Sequence, residues 1–357
     1  MNLKFIYWFT FYNRDSPTVR YRGQYPLDFL TKNYGINSYF IFPSYKPTKI
    51  LLFIKAYFSA LLFPKKDSLI VIQSVNSNYI YAKALKILIK IRNKNTIYDL
   101  DDADYLRFSP ETIYYFIKNC SVVTVGSHEL LLNLSKYNNN VILITCPTPD
   151  LKIIKQKRNT LFTIGWIGDF FGGHKESLLK FFFPGLHDLP FKVKLTLLGV
   201  AEKSELEFLT NYFKPIKNVL LEIPQDIVWT NETEIQQRIT TFDIGIATLL
   251  DNEFYRSKSA FKTKQCFNNG VPVLSSDIPE NNFFIEHGKN GFLCNTASDF
   301  RQRIIEINEM SDENYSILSN NARRSIYKFN LTNFCDELIN IYLKNSATVN
   351  SATPSSP

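Results

Sequence analysis

Twelve short runs of apolar residues, rich in β-branched and aromatic side chains, recur along the chain with helix-length segments between them. Six occupy the N-terminal half: Leu3 to Thr10, Asn37 to Phe42, Leu69 to Ser74, Thr96 to Asp101, Val122 to Gly126 and Val141 to Cys146. The runs are nearly continuous in apolar character, so both faces of each strand must be covered. Strands of this kind, separated by helices, build a parallel sheet with helices on either side. The alternation restarts after Pro147 to Asn159, a polar, basic stretch with two prolines that reads as a linker. The second series is Leu161 to Gly168, Val193 to Gly199, Val219 to Ile223, Asp243 to Leu250, Val271 to Ser275 and Gly291 to Cys294. The expected fold class is α/β, with two tandem Rossmann-like domains at residues 1–150 and 151–330. Helical sequence continues from Ser311 to Lys344, and a small, polar, proline-containing tail at 346–357 is expected to be disordered.

A chain of 357 residues suits two domains, and 45% hydrophobic with 21% charged residues is a globular composition. The net charge of +8 favours anionic partners such as phosphates or acidic lipid headgroups. No RNP, zinc-finger or helix-turn-helix pattern accompanies it, so no nucleic-acid partner is expected. The five cysteines, Cys120, Cys146, Cys266, Cys294 and Cys335, are scattered without a C-x-x-C pair, and read as reduced, buried thiols of a cytoplasmic protein. The opening MNLKFIYWFT lacks a small-residue cleavage site and reads as a first buried strand. Ile50 to Phe63, flanked by Lys46, Lys49, Lys65 and Lys66, is too short to span a bilayer. It suits a core helix of the first domain best, and also an amphipathic helix lying on an anionic inner membrane surface.

Residues 243 to 293 read as strand, charged loop, short helix, strand and tight turn. The spacing predicts a helix from Ala260 to Asn269, with Ser259 placed to cap it and Gly270 then Pro272 to stop it. A helix N-terminus carries partial positive charge, so Lys258 and Lys262 beside it favour an anion there, and a diphosphate would supply one. Gln265 follows Lys262 by three residues on the same helix face, where its amide could meet a sugar hydroxyl.

These residues resemble the C-terminal half of the GT-B glycosyltransferases. The particular likeness is to the retaining, nucleotide-sugar-dependent enzymes called family 4, or group 1, of bacterial surface polysaccharide synthesis. In that family a strand such as DIGIxPL leads to a lysine-bearing loop, a helix read as FKxxEYMxxGxPVxxS and a turn IxHGxNGFL. Here they match Asp243 to Leu250, Phe261 to Ser275 and Ile285 to Leu293. The family's two glutamates, eight positions apart, correspond to Ser257 and Gln265, so both carboxylates are missing. Some relatives carry glutamine at the second position with a Lys-x-x-Phe-Lys run like Lys258 to Lys262.

The resemblance implies an interdomain cleft, a helix at 331–345 that packs back on the N-terminal domain, and a nucleotide-sugar as substrate with no cofactor and no metal. Lys258, Lys262 and Gln265 would act on the donor, with Ser259, Phe261, Gly168 and Asp169 around its diphosphate and sugar. On the acceptor side stand Asp101, Asp102 and His128, together with Arg20 and Arg22, which follow the first strand and suit an acceptor phosphate. Asp99-Leu100-Asp101 also has the D-x-D form by which single-domain glycosyltransferases hold a metal. Its place in the first domain argues against that role. Trp229 reads as core. The implied activity is sugar transfer to a glycan or lipid-linked acceptor. The lost carboxylates leave a second reading, a noncatalytic GT-B-like scaffold that binds nucleotide or glycan in an assembly complex.

Overall fold

The computed structural model describes residues 3–65, 67–77, 79–150 and 153–351, with side chains as far as 345. Lys66, Leu151, Lys152 and the tail residues 352–357 lie outside the described residues. Two compact units divide the chain, the first made of Met1–Pro147, Ser257–Ser259 and Phe329–Pro357, the second of Thr148–Arg256 and Ala260–Lys328.

In the first unit six parallel strands, β1 (Phe5–Thr10), β2 (Asn37–Ile41), β3 (Ser68–Gln73), β4 (Thr96–Leu100), β5 (Val122–Val125) and β6 (Val141–Leu143), lie in the order β2-β1-β3-β4-β5-β6. All six residues of β1 are buried, as a continuous apolar run requires. Beneath the sheet, Ile6 and Trp8 pack with Leu27 and Leu30 of the helix Tyr25–Tyr34 and with Phe334, Leu338 and Tyr342 of the helix Leu331–Ser351. That last helix extends beyond residue 345 to Ser351, so 346–351 are helical where disorder was expected. The packed turns before them supply a nucleus from which a helix propagates at low cost.

The second unit holds β7 (Thr163–Ile167), β8 (Val193–Leu198), β9 (Val219–Glu222), β10 (Ile244–Ala247), β11 (Val273–Ser276) and β12 (Gly291–Cys294), also parallel, in the order β12-β11-β10-β7-β8-β9. This is the strand order of dinucleotide-binding folds, and it reverses direction between β7 and β10. The supposed linker is partly built into this unit. Lys155 is buried and paired with the buried Asp243 at 3.0 Å, and Asp243 also accepts hydrogen bonds from the backbone N–H groups of Asn159 and Thr163. Burial pulls the Lys155 ammonium down in pKa, against the Asp243 charge that raises it.

The helix Pro47–Leu62 is not a core helix. Only Ala56 and Ala60 are buried, while Leu51, Ile54, Phe58 and Leu62 are exposed. The five cysteines are all buried and form no disulfide, and burial pushes the thiols of Cys120, Cys266 and Cys294 up to about 12.

Candidate functional site

In open α/β sheets ligands bind beyond the carboxyl ends of the strands where the order reverses. In the second unit that position is flanked by the loop after β7 and the helix that follows β10. The helix, Phe261–Asn268, begins with Ala260 in the left-handed region at φ 49°, and no side chain caps it. Ser259 is buried and makes no cap, because the left-handed residue turns the chain just before the helix and moves the cap position to Ala260. At the other end Gly270, at φ +70°, closes the helix as expected.

Lys262 lies against the β7 loop. A Cβ on Gly168 would stand 2.7 Å from Lys262 Cε and 3.0 Å from the Trp166 ring, so only glycine lets the lysine stem pass. A Cβ on Gly199, at φ +109°, would strike the Gly168 carbonyl oxygen at 1.8 Å, which holds the β7 and β8 loops together. Lys262 Nζ is 3.5 Å from His174 Nδ1, and the His174 ring meets Tyr255 edge-on. Two polar atoms here, Trp166 Nε1 and Thr263 Oγ1, are buried without a hydrogen-bond partner among the described residues. Buried polar groups normally have partners, and such orphans at a helix start suit a ligand. Asp169 is exposed at the same loop and Phe261 is half-buried. Gln265 is buried, and its carbonyl oxygen accepts from Asn269 Nδ2 at 2.8 Å. Lys175 is turned away from the site into an ion pair with Glu205 at 2.6 Å. Trp229 is partly exposed beside Gly199 and not in the core.

In the first unit the order reverses between β1 and β3, and the loops after β1, β3 and β4 bring together Tyr12, Asn76, Asp102 and Asp104. Asn76 Nδ2 donates to Tyr12 Oη at 2.8 Å and to Asp104 Oδ2 at 3.2 Å, while Asp102 pairs with Lys258 at 2.7 Å. Lys258 thus belongs with the carboxylates of this unit. Its loop is held there by the hydrogen bond from Ser127 Oγ to the Ser257 carbonyl, 2.7 Å. Burial, then repulsion by Asp102, pushes the Asp104 carboxyl up to about 7, with the Asn76 hydrogen bond and Lys258 opposing. Burial also raises the Tyr12 phenol.

Arg20 and Arg22 are not open to an acceptor phosphate. Both are buried in a π-turn, Arg20–Gln24, within the helical stretch after β1. Arg22 grips Asp99 with two hydrogen bonds, 3.0 and 2.5 Å, and donates a third to the Ile144 carbonyl at 2.5 Å. Burial pulls its guanidinium down in pKa, but the Asp99 charge and hydrogen bonds outweigh this and the net shift is upward. Arg20 donates to the carbonyls of Arg14 and Asp15. Asp99 also accepts from Thr124 Oγ1 at 2.7 Å, so the D-x-D serves an internal ion pair. Asp101 sits by Arg22 at 3.7 Å and against Gly126, where a Cβ would stand 2.2 Å from its Oδ1. His128 opens the helix His128–Leu134, half-buried behind the Ser127 cap. Tyr12, Asn76 and Asp104 were missed in the sequence. Their one signal was position, at the ends of β1, β3 and β4.

No family model and no curated protein matches the chain in sequence. Among solved structures it is similar to HepE from Anabaena in complex with UDP-glucose, at 14% identity over 95% of this chain and 99% of that one, with a TM-score of 0.66. It is similar to a glycosyltransferase from Rickettsia africae, at 13% identity over 97% and 99%, TM-score 0.69. It also resembles sucrose-phosphate synthase from Thermosynechococcus elongatus, at 12% identity over 97% and 100%, TM-score 0.70. The fold is the one GT-B glycosyltransferases share. At these identities the likeness establishes fold and leaves activity to the residues.

Proposed function

We propose that the protein is a glycosyltransferase that takes a sugar from a nucleoside-diphosphate donor and passes it to a hydroxyl of a glycan or lipid-linked glycan. The observation that carries this reading is Lys262 laid against Gly168 at the point where the second sheet reverses, beside a helix start with no side-chain cap. A diphosphate placed there meets an ammonium and the positive end of a helix, and those groups stabilise the charge that develops as the sugar–phosphate bond breaks. The orphaned Thr263 hydroxyl and Trp166 N–H supply two further polar contacts within reach of the same loop.

The acceptor is assigned to the first unit, around Tyr12, Asn76, Asp102 and Asp104. There a carboxyl with a raised pKa and an amide suit a hydroxyl ligand. Lys258, held by Asp102, is the cation of this acceptor site, and Gln265 orients the donor from the helix interior of the second unit. The reaction retains anomeric configuration and needs no metal. In a front-face attack the leaving phosphate takes the acceptor proton, which suits a site whose family glutamates are replaced by Ser257 and Gln265. HepE binds UDP-glucose, so UDP-sugars are the first donors to test.

The test is calorimetric titration of the purified protein with UDP, GDP, CDP, dTDP and ADP, with and without EDTA, followed by sugar release from the matching donor. Binding that survives EDTA and is lost in Lys262→Ala supports the donor site. Tight binding without turnover on any acceptor returns the scaffold reading, and absence of binding to every nucleotide rejects the assignment.

A further inference from the structure

The helix Pro47–Leu62 is apolar on its outer side as well as its inner one. Its exposed side carries Leu51, Ile54, Phe58 and Leu62 at spacings of three and four residues, while its inner side buries Ala56 and Ala60 fully and Phe53, Tyr57 and Ser59 by half. A surface helix normally shows an apolar stripe inward and a polar one outward. The adjoining helix Ile80–Ile91 buries Ala82, Leu85, Leu88 and Ile89 in the usual way, yet its outer side also carries Ile80, Ile87 and Ile91, exposed at 85%, 53% and 58%. The two helices touch, through Tyr57 Oη on the Ala84 carbonyl at 3.1 Å and Arg92 Nε on the Leu61 carbonyl at 2.9 Å. The apolar stripes therefore belong to one surface, continued at its end by Phe63, which is 78% exposed.

The charge around that surface is predominantly positive. Between Asp28 and Asp99 the sequence holds a single acidic residue, Asp67, against eleven lysines and arginines. Lys46, Lys49, Lys55, Lys83 and Lys90 are exposed on the two helices or at their starts. Where the C-terminal ends of both helices meet the sheet, an open cavity of about 510 Å³ is lined by Lys65, Arg92 and Lys94 together with Asp67. Lys65 also lies over the Phe5 ring at 4.4 Å. No helix among the described residues is long and apolar enough to cross a membrane.

We propose that this face docks on an anionic lipid bilayer, with the aliphatic and Phe side chains of both helices entering the interface and the basic cavity at their ends receiving a lipid headgroup phosphate. Apolar groups alone would suit any greasy partner. A set of lysines and arginines with Asp67 as the one carboxylate in their stretch of sequence selects a surface that is apolar below and negative above. The inference stands apart from the proposed transfer reaction, since it uses none of the residues assigned to donor or acceptor.

The experiment is sedimentation of the full-length protein with vesicles of phosphatidylcholine alone and of phosphatidylcholine with phosphatidylglycerol. The wild type should pellet with the anionic vesicles at low salt and be released as salt rises. Ile54→Asp with Phe58→Asp should weaken this by at least about tenfold, because both side chains leave water only on docking. Lys83→Glu with Lys90→Glu should weaken it by about tenfold with a flatter salt dependence. Both variants alter exposed positions, and an unchanged circular dichroism melt confirms their fold. The proposal is overturned if the wild type ignores anionic vesicles or pellets equally with neutral ones. It is also overturned if both variants bind as the wild type does, or if Phe58→Asp dissolves a dimer in solution, which would make a second copy the occupant.

Discussion

The two points of strand reversal use one backbone device for opposite chemistry. In the second unit the strands around the reversal, β7 and β10, deliver a glycine loop, Lys262 and an uncapped helix start, the place we propose for the donor diphosphate. In the first, β1, β3 and β4 deliver Tyr12, Asn76, Asp102 and Asp104, with Lys258 tying down one carboxylate, the place we propose for an acceptor hydroxyl. A reversal opens a crevice because the loops on either side diverge, whatever residues they carry. Which ligand enters depends on a few side chains at the loop tips. Each unit also fixes its loops with buried ion pairing, by Arg22 with Asp99 and Asp101 in the first and by Lys155 with Asp243 in the second.

The largest expected effect tests that shared scaffold. Asp243→Ala should destabilise the second unit by about 3–5 kcal/mol, since it strands a buried ammonium and two backbone N–H groups. Chemical denaturation monitored by fluorescence reads this out, and a loss below about 1 kcal/mol would mean the pair is not what anchors residues 155–163. Lys262→Ala should lower turnover by about 10²–10³, the range for removing one preformed group from a developing anion, while leaving the melting temperature unchanged. Wild-type turnover in that variant would erase the contrast between the two crevices.

A smaller effect probes the first crevice. The Asp104 carboxyl titrates at about 7 in the fold against an ordinary 3.8. The fold therefore favours its protonated form, so its stabilising contribution is complete below pH 4 and is lost as pH rises through 7. Asp104→Asn should melt at the wild-type temperature near pH 4 and be more stable at pH 8, by on the order of 2 kcal/mol. Equal melting at both pH values would show that Asp104 is ionised throughout. The smallest effect concerns Ala260, whose left-handed conformation disfavours any side chain. Ala260→Gly should stabilise by about 0.5–1 kcal/mol in the same denaturation assay, and a loss would mean that the turn is held by something other than its backbone angles.

Most strands were legible because burial on both faces writes a local signature, and β1 through β12 lie where the apolar runs placed them, although β2, β6 and β9 are only partly buried. The helix start at Phe261 was legible to within a residue, but its cap was not. Ser259 has the right side chain for a cap, while a left-handed alanine leaves no mark in composition. The acceptor-side arginines misled for a related reason. Arg22 follows a strand as a ligand-binding arginine would, and nothing nearby announces Asp99, its partner 77 residues on. Lys258 finds Asp102 across 156 residues. Asp104 escaped notice because a raised carboxyl pKa arises from burial and neighbours, which no local pattern encodes.

The amino-acid sequence by itself determined two parallel α/β units, the order of their elements and the glycine, lysine and aspartate positions at the strand ends, because periodicity and turn chemistry act over a few residues. Tertiary structure alone decided which charges are spent on each other and which remain for a ligand. It also decided which apolar helix face meets the sheet and which meets the surroundings. Those outcomes depend on distance and desolvation between residues that the chain keeps far apart.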